Sequence, residues 1–177
     1  MASHSSFRPS ADESPPYYSG YVALAPDGKI VDALAEQGKR LVGEWRAAPE
    51  SARGLRYADG KWTTEEVLAH IVDIERVLAY RAMCFLRGVK GEQPGVDQDL
   101  MVPRSLANER GLESLVTEFE HQRLANVELF RGLAESLLDQ RGVASGGEMS
   151  VRALLYILFG HAEHHAKVLA ERYFPVA

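Results

Sequence analysis

The sequence has almost no cysteine and no long apolar run, and these absences exclude several classes of protein. Cys84 is the only cysteine among 177 residues, so no internal disulfide can form, which suits a reducing compartment. The longest unbroken apolar run, Ala153 to Phe159, is too short to cross a bilayer. The N-terminus also lacks the basic segment and apolar core of a signal peptide. We therefore expect a cytoplasmic protein with no membrane partner.

A concentration of positive charge is absent as well. The formal net charge is −5 and no basic run occurs, so electrostatics gives no support for binding to nucleic acid or to an anionic membrane. Hydrophobic residues make up 46% of the chain, an ordinary share for a globular protein. At this length we expect one domain with a sizeable core and no nucleic-acid partner.

Four stretches carry the apolar period of an amphipathic helix. The first is predicted over about 31–48 and the third over about 112–138. The second begins at a capping box, Thr63 with Glu66, and continues to about residue 87. The fourth follows Ser150 as its N-cap and continues to about residue 172. Because no segment of any length has the period of a strand, the prediction is an all-α four-helix bundle.

The chain before the first helix differs from the rest in composition. Residues 1–20 are rich in Ser, Pro and Tyr and show no helical period. We predict that residues 1–30 form an extended arm packed on a single bundle domain of residues 31–177. Tyr17, Tyr18 and Tyr21 are expected to lie against the bundle, although a free terminus with incidental tyrosines is an equal alternative.

Two connections between the predicted helices are rich in turn-forming residues. Residues 88–111 contain several Gly and Pro and are predicted to be irregular, with one helical turn. A connection of this length is uncommon without a function, and it lets the second and third helices run parallel. Residues 139–149 are predicted to be a turn-rich link in which a small hairpin can form.

Three of the six histidines lie together in the fourth helix. At about 100° per residue, His161 and His165 point from the centre of the apolar face, and His164 lies at its edge, toward solvent. His70 lies on a flank of the second helix's buried face, with Arg81 on the same flank. A buried arginine there requires a carboxylate partner or a ligand.

The two inward histidines have a functional and a structural interpretation. Imidazoles at i and i+4 can bind one ion, and with His70 they would give a three-nitrogen site that suits zinc, nickel or ferrous iron and keeps a position open. Histidines satisfied within the core are the alternative, although two unpartnered buried imidazoles are costly. Gly160 beside them indicates close backbone approach, helix packing or room for a ligand, because glycine inside a helix costs about 1 kcal/mol.

Other catalytic patterns do not fit. The metalloprotease pattern His-Glu-x-x-His fails because Ala162 occupies the position of the general base. A di-iron bundle needs two inward Glu-x-x-His elements, and the one present, Glu118 to His121, lies on an outer face. Cys84 has no histidine placed for it by a local signature, so a buried apolar role is expected.

Several motifs resemble, in order and spacing, those of the DinB-like superfamily, and within it the DinB_2 branch. They are Lys61-Trp62-Thr63, His70-Ile-Val-Asp73-Ile-Glu75-Arg76, Ser150-Val-Arg152 and Gly160-His161-Ala-Glu-His164-His165. The resemblance implies an up-down-down-up four-helix bundle and a homodimer. It also implies a metal held by His70, His161 and His165. Related members include thiol S-transferases that use bacillithiol or mycothiol, in which the metal binds the cofactor thiol.

Together these observations predict a divalent-metal enzyme acting on a small molecule, either a thiol S-transferase or a hydrolase. The alternative is a non-catalytic binding or assembly protein in which a metal is structural or absent. Asp73, one turn from His70, is a candidate to orient that ligand. Arg81 and Arg123 are candidates to hold an anionic group of the substrate. Asp97 and Asp99 are candidates to close over the site, with ordinary ion pairs and loop caps as their simpler interpretation.

Overall fold

The structure, a computed structural model, describes residues 8–174, and four long helices dominate it. Sequence expectations for residues 1–7 and 175–177 lie outside the described part. In chain order the elements are α1 (Ser19–Leu24), α2 (Ile30–Arg46), α3 (Thr64–Leu86), α4 (Gln98–Met101), α5 (Ala107–Phe130), α6 (Glu135–Leu138), β1 (Arg141–Ala144), β2 (Gly147–Ser150) and α7 (Val151–Arg172). The long helices are α2, α3, α5 and α7.

The predicted helix starts are confirmed by their capping bonds. The Thr63 hydroxyl accepts from the Glu66 backbone N–H, and the Glu66 carboxylate accepts from the Thr63 N–H, which completes the capping box of α3. The Ser150 hydroxyl accepts from the Ala153 N–H at 2.9 Å and caps α7. These bonds fix the register of the two helices that carry the histidines.

Contacts between the long helices give the up-down-down-up topology. The hydrogen-bonded pairs that show the directions are Thr63 with Asn108, Glu75 with Arg123, Gln37 with Arg123, Arg46 with Glu113, His70 with His161, and Trp62 with Tyr173. Residue numbers rise together along α3 and α5, so these two helices are parallel. Residue numbers run in opposite senses along α2 and α5, and along α3 and α7, so each of these pairs is antiparallel. The predicted all-α bundle is therefore confirmed.

The third long helix differs from its predicted bounds. It was expected to continue to Leu138 but ends at Phe130, because Arg131 is extended and Gly132 takes φ +73°, a left-handed conformation that favours glycine. The short α6 then accounts for the apolar residues near 138. At its other end α5 begins at Ala107, and Gly111, with φ +75°, kinks it before the regular part starts.

The N-terminal segment is not extended as predicted. Residues Pro16–Tyr18 form a 3₁₀ turn that leads into α1. Pro16 fixes φ near the value that a helical turn needs, and Tyr21 and Val22 pack against the apolar cluster along α7. A helix of six residues is too short to show a period in the sequence. The segment nevertheless lies on the bundle, mainly against α7.

The connection between α5 and α7 contains the small hairpin. Strands β1 and β2 pair antiparallel, with Ala144 opposite Gly147. The two residues of the turn, Ser145 and Gly146, both have positive φ, which matches the twist of a two-residue hairpin. The hairpin leads directly into the Ser150 cap and brings Ser145 over α3. No helix of the described residues is long and apolar enough to span a membrane.

Candidate functional site

The structure brings His70, His161 and His165 together, and one ligand nitrogen from each lies within 4.8 Å of the others. His70 and His161 are 4% and 6% exposed, and His165 is partly buried. The Nε2 atoms of His70 and His161 are 3.0 Å apart, which is hydrogen-bond distance. His161 and His165 come from successive turns of α7, and His70 faces them from α3. The helical spacing therefore predicted the grouping correctly.

All three imidazoles are held in their neutral form. Burial, with a smaller contribution from the neighbouring histidines, lowers the pKa of His70 to about 4 and that of His165 to about 3. Burial also places the pKa of His161 well below its usual value. A neutral imidazole keeps a lone pair free to bind a metal, whereas a protonated one repels it.

The donor set fits a divalent ion. Two nitrogens on one zinc ion at about 2.0–2.1 Å lie about 3–4 Å apart. The Nε2 atoms of His70 and His161 are 3.0 Å apart, and the ligand atoms of all three histidines lie within 4.8 Å of one another. Neutral imidazoles suit zinc, nickel and iron, and three such ligands leave part of the coordination shell open. The three histidines could therefore hold a divalent metal with at least one position free for another ligand.

A cavity of about 170 Å³ lies against two of these histidines. His70 and His161 form part of its wall, and Tyr18, Tyr21 and Arg81 form other parts. Gln98, from α4, and Ser145, from the hairpin turn, complete its polar lining. The open side of the histidine group thus meets a small space with several hydrogen-bonding groups.

The N-terminal segment supplies one wall of the site. The Tyr21 ring contacts the rings of His161 and His164 edge-on, with centroids 5.5 and 5.6 Å apart. A Cβ atom on Gly160 would overlap the Tyr21 backbone carbonyl, so only glycine lets the segment lie this close to α7. The prediction of close backbone approach at Gly160 is confirmed. His164 itself is exposed, as its position on the helix predicts.

Arg81 lines the cavity as one of its few charged groups. The residue is 3% exposed, and its Nη2 donates to the Pro94 carbonyl at 2.6 Å and to the Ser145 hydroxyl at 2.9 Å. The sequence indicated a carboxylate or a ligand as its partner, but both of these acceptors are neutral. The side chain therefore joins the long connection and the hairpin at the edge of the cavity.

Arg123 does not lie at the histidine site, although the sequence made it a candidate to hold an anionic group of the substrate. Its guanidinium is buried and binds both oxygens of Glu75 at 2.7 Å, and it also donates to Gln37 and to the Leu34 carbonyl. It does not line the histidine cavity. The difference arises because Glu75, a core carboxylate on α3 to which the sequence analysis gave no role, binds the Arg123 guanidinium inside the bundle.

The acidic candidates also make other contacts than those expected. Asp73 is half-buried, which raises its pKa, and it pairs with Arg76 at 3.8 Å; in the described part of the chain no hydrogen bond joins it to His70. Asp97 caps α4 by accepting from the Leu100 N–H at 3.0 Å, and Asp99 is exposed. The long connection does reach the cavity, but through Gln98 and through Val96 beside it.

Sequence reasoning missed the aromatic and hydroxyl groups around the histidines. The Trp62 ring lies 4.9 Å from the His70 ring, between centroids, so this residue just before α3 covers a site residue. Tyr21 was assigned only to the bundle surface, and Ser145 to a turn. Their distance in sequence from the histidines gave no signal of this proximity.

One solved structure has the same architecture at low sequence identity. YfiT from Bacillus subtilis, reported as "a probable metal-dependent hydrolase with an unusual four-helix bundle topology", aligns with a TM-score of 0.66 and 15% identity. The alignment covers 92% of this chain and 89% of YfiT, and at this identity it establishes the fold alone. No curated protein sequence matches the chain.

The sequence also matches a family model. The match covers residues 33–169, from the first turn of α2 to near the end of α7, and includes all three clustered histidines. The model is that of the DinB superfamily. Together with the four-helix topology, this match shows that the chain belongs to the DinB superfamily.

Proposed function

We propose that this protein is a divalent-metal-dependent enzyme in which His70, His161 and His165 hold the ion. The observation that carries the proposal is the position of the cavity, which lies against two buried, neutral histidines and leaves one side of the group open. A purely structural zinc normally has four protein ligands, whereas a reactive site keeps a free position. Zinc, nickel and iron are the metals that suit this donor set.

The free position would take a water or a low-molecular-weight thiol. A divalent ion lowers the pKa of such a ligand and so provides a nucleophile near neutral pH. The reaction class is then a hydrolysis or a thiol S-transfer. Family membership supports both alternatives, and the resemblance of the fold to YfiT, reported as a probable metal-dependent hydrolase, supports water.

The protein's own groups shape the space around that nucleophile. Tyr21 and Trp62 pack against the histidine rings and keep bulk water from two sides. The cavity of about 170 Å³ has room for a few water molecules or one reacting group, so the substrate is a small molecule or one end of a larger one.

Metal analysis of the purified protein tests the proposal. We expect about one divalent ion per chain in the wild type and a loss of most of it in His161→Ala, because that change removes a buried ligand. His164→Ala is the matched control, since this neighbour on α7 is exposed, and it should keep the metal. Equal, negligible metal in all three proteins would contradict the proposal.

The cobalt-substituted protein separates an open site from a structural one. An open position should give a visible spectrum that changes when a small thiol is added, or with pH as a bound water ionises. A change with thiol supports S-transfer, and a change with pH alone supports hydrolysis. A spectrum that responds to neither would favour the alternative of a non-catalytic protein with a structural metal.

A further inference from the structure

Arg81 differs from the other buried arginines in the described part of the chain. Arg123 and Arg152 each bind a carboxylate oxygen at 2.7 Å, from Glu75 and Asp139. No carboxylate lies within ion-pair distance of Arg81 among the described residues, although it is 3% exposed. A buried cation without a counter-ion is unfavourable unless an anion binds to it.

Part of the Arg81 guanidinium is free to bind that anion. Both of its hydrogen bonds start from Nη2, which leaves the Nε–H and the Nη1 protons without an acceptor among the described residues. Among the described residues, Gln122 Oε1 is the only side-chain polar atom that is both fully buried and without a partner. The unpartnered Arg81 nitrogens are therefore not fully buried. The Arg81 side chain lines two cavities.

The second cavity adjoins the histidine cavity. Its volume is about 280 Å³, and it shares Val77, Arg81 and Val96 with the first. Tyr80 and Pro94 also line it, and its surface is almost wholly apolar. Arg81 thus lies between a polar space that contains the histidines and an apolar space that contains no metal-ligand candidate.

We infer that the substrate is a small monocarboxylate with an apolar part, whose carboxylate binds Arg81 and whose apolar part fills the second cavity. The inference rests on the proposed function, since it assumes that the substrate reacts on the histidine side of Arg81, next to His70 and His161. One guanidinium matches one negative charge, and its planar fork matches a carboxylate. Arg76, also on the second cavity, is already paired with Glu118 at 2.7 Å, so a dianion would find no second free cation there.

Calorimetric titration of the metal-loaded wild type tests both parts of this inference without a mutation. Hexanoate is the probe, hexanamide is its neutral counterpart, and acetate has the charge without the apolar part. We expect hexanoate to bind at least about tenfold more tightly than either of the others, since each lacks one of the two contacts. No hexanoate binding, or equal binding by hexanamide or by acetate, would overturn the inference.

Two variants assign the binding to Arg81. Arg81→Met keeps the length and apolar stem of the side chain and should weaken hexanoate binding at least about tenfold. Arg87→Met, the matched control, removes the same charge from an exposed position just after the end of α3 and should bind as the wild type does. Unchanged binding in Arg81→Met would overturn the inference, whatever the metal content.

The metal-free protein distinguishes this inference from the proposed function. Carboxylates can bind a metal directly, so hexanoate is also titrated after chelation. Binding that persists and still depends on Arg81 supports the inference. Binding that requires metal and is equal in Arg81→Met would overturn it and leave the metal enzyme standing. If the purified wild-type protein contains no metal, the proposed metal-dependent function is refuted, whereas carboxylate binding at Arg81 is not.

Discussion

At the scale of single residues, the three clustered histidines couple folding to pH. Burial holds the pKa of His70 at about 4 and that of His165 at about 3, whereas an unfolded histidine titrates near 6.5. Between these values the unfolded chain binds protons that the folded, metal-free protein does not. Acid therefore favours the unfolded state over this range, and the stabilisation is regained as the pH rises through about 6.5.

We predict that the free energy of unfolding of the metal-free protein falls as the pH is lowered from about 6.5 toward about 4. Each buried histidine contributes a slope of up to about 1.4 kcal/mol per pH unit. His70→Gln should reduce this slope, and His164→Gln, an exposed neighbour of the site, should not. Denaturant unfolding at several pH values in the presence of chelator measures the slopes; identical slopes in His70→Gln and wild type would refute the prediction.

At the scale of elements, α7 is built to receive the N-terminal segment. The segment crosses α7 at Gly160, where the Tyr21 carbonyl occupies the space of a side chain. Arg8 fastens the segment by donating to the Val22 carbonyl at 2.7 Å and to the Ala25 carbonyl at 2.6 Å. A contact that looks local to one glycine therefore positions a whole wall of the site.

Gly160→Ala should destabilise the protein although alanine is the better helix former. The added methyl overlaps the Tyr21 backbone, and overpacking of this kind costs about 1–3 kcal/mol. Gly43→Ala is the matched control: it lies within α2 with nothing near its Cβ position, so it should gain up to about 1 kcal/mol. Denaturant unfolding of both variants shows whether each change lowers or raises the free energy of unfolding. A gain of stability in Gly160→Ala would show that the segment does not hold this position.

The elements also show what sequence could and could not predict. Thr63 with Glu66, and Ser150, give the starts of two helices because capping depends on residues next to each other in sequence. The pairing of His161 with His165 followed from the same local periodicity, whereas His70 was added from its place on the buried face of another helix and from the family resemblance. The end of α5 at Phe130 was missed, since Leu133 and Leu137 continue the apolar period although the backbone turns at Gly132.

Longer-range partners were beyond the reach of sequence. Arg123 was a candidate to hold an anionic group of the substrate, but nothing in the sequence indicates which of the protein's many carboxylates would meet it. The structure selects Glu75 because α3 and α5 are parallel, which brings these two positions to the same level. Arg81 and Ser145 meet for a similar reason, since the hairpin turn lies over α3.

At the scale of the whole molecule, a polar layer divides the core into two apolar clusters. Arg123 binds Glu75 and donates to Gln37 at 2.9 Å. Gln37 in turn donates to the Phe159 carbonyl at 3.0 Å and to Glu163 at 2.9 Å, next to the histidines. One connected network thus links α2, α3, α5 and α7 at a single level of the bundle.

Breaking this layer should destabilise the fold far more than breaking an exposed ion pair. Glu75→Gln leaves the Arg123 charge buried without its counter-ion and should lower the free energy of unfolding by about 3–5 kcal/mol. The same change in an exposed pair, Glu36→Gln beside Lys39, should cost less than about 1 kcal/mol. Chemical denaturation compares the two variants; similar small losses would show that the layer contributes little to the free energy of unfolding.

The homodimer that the family resemblance implies stays a prediction.

The packing of α1 on α7 determines when the site can form during synthesis of the chain. Tyr21 is synthesised well before Gly160 and the two inward histidines that follow it, because about 140 residues separate them. Contacts between such distant segments close a large loop and form late in folding. A nascent chain that still lacks α7 therefore has neither the complete histidine group nor the surface on which α1 packs, and the site forms only after α7 has been made.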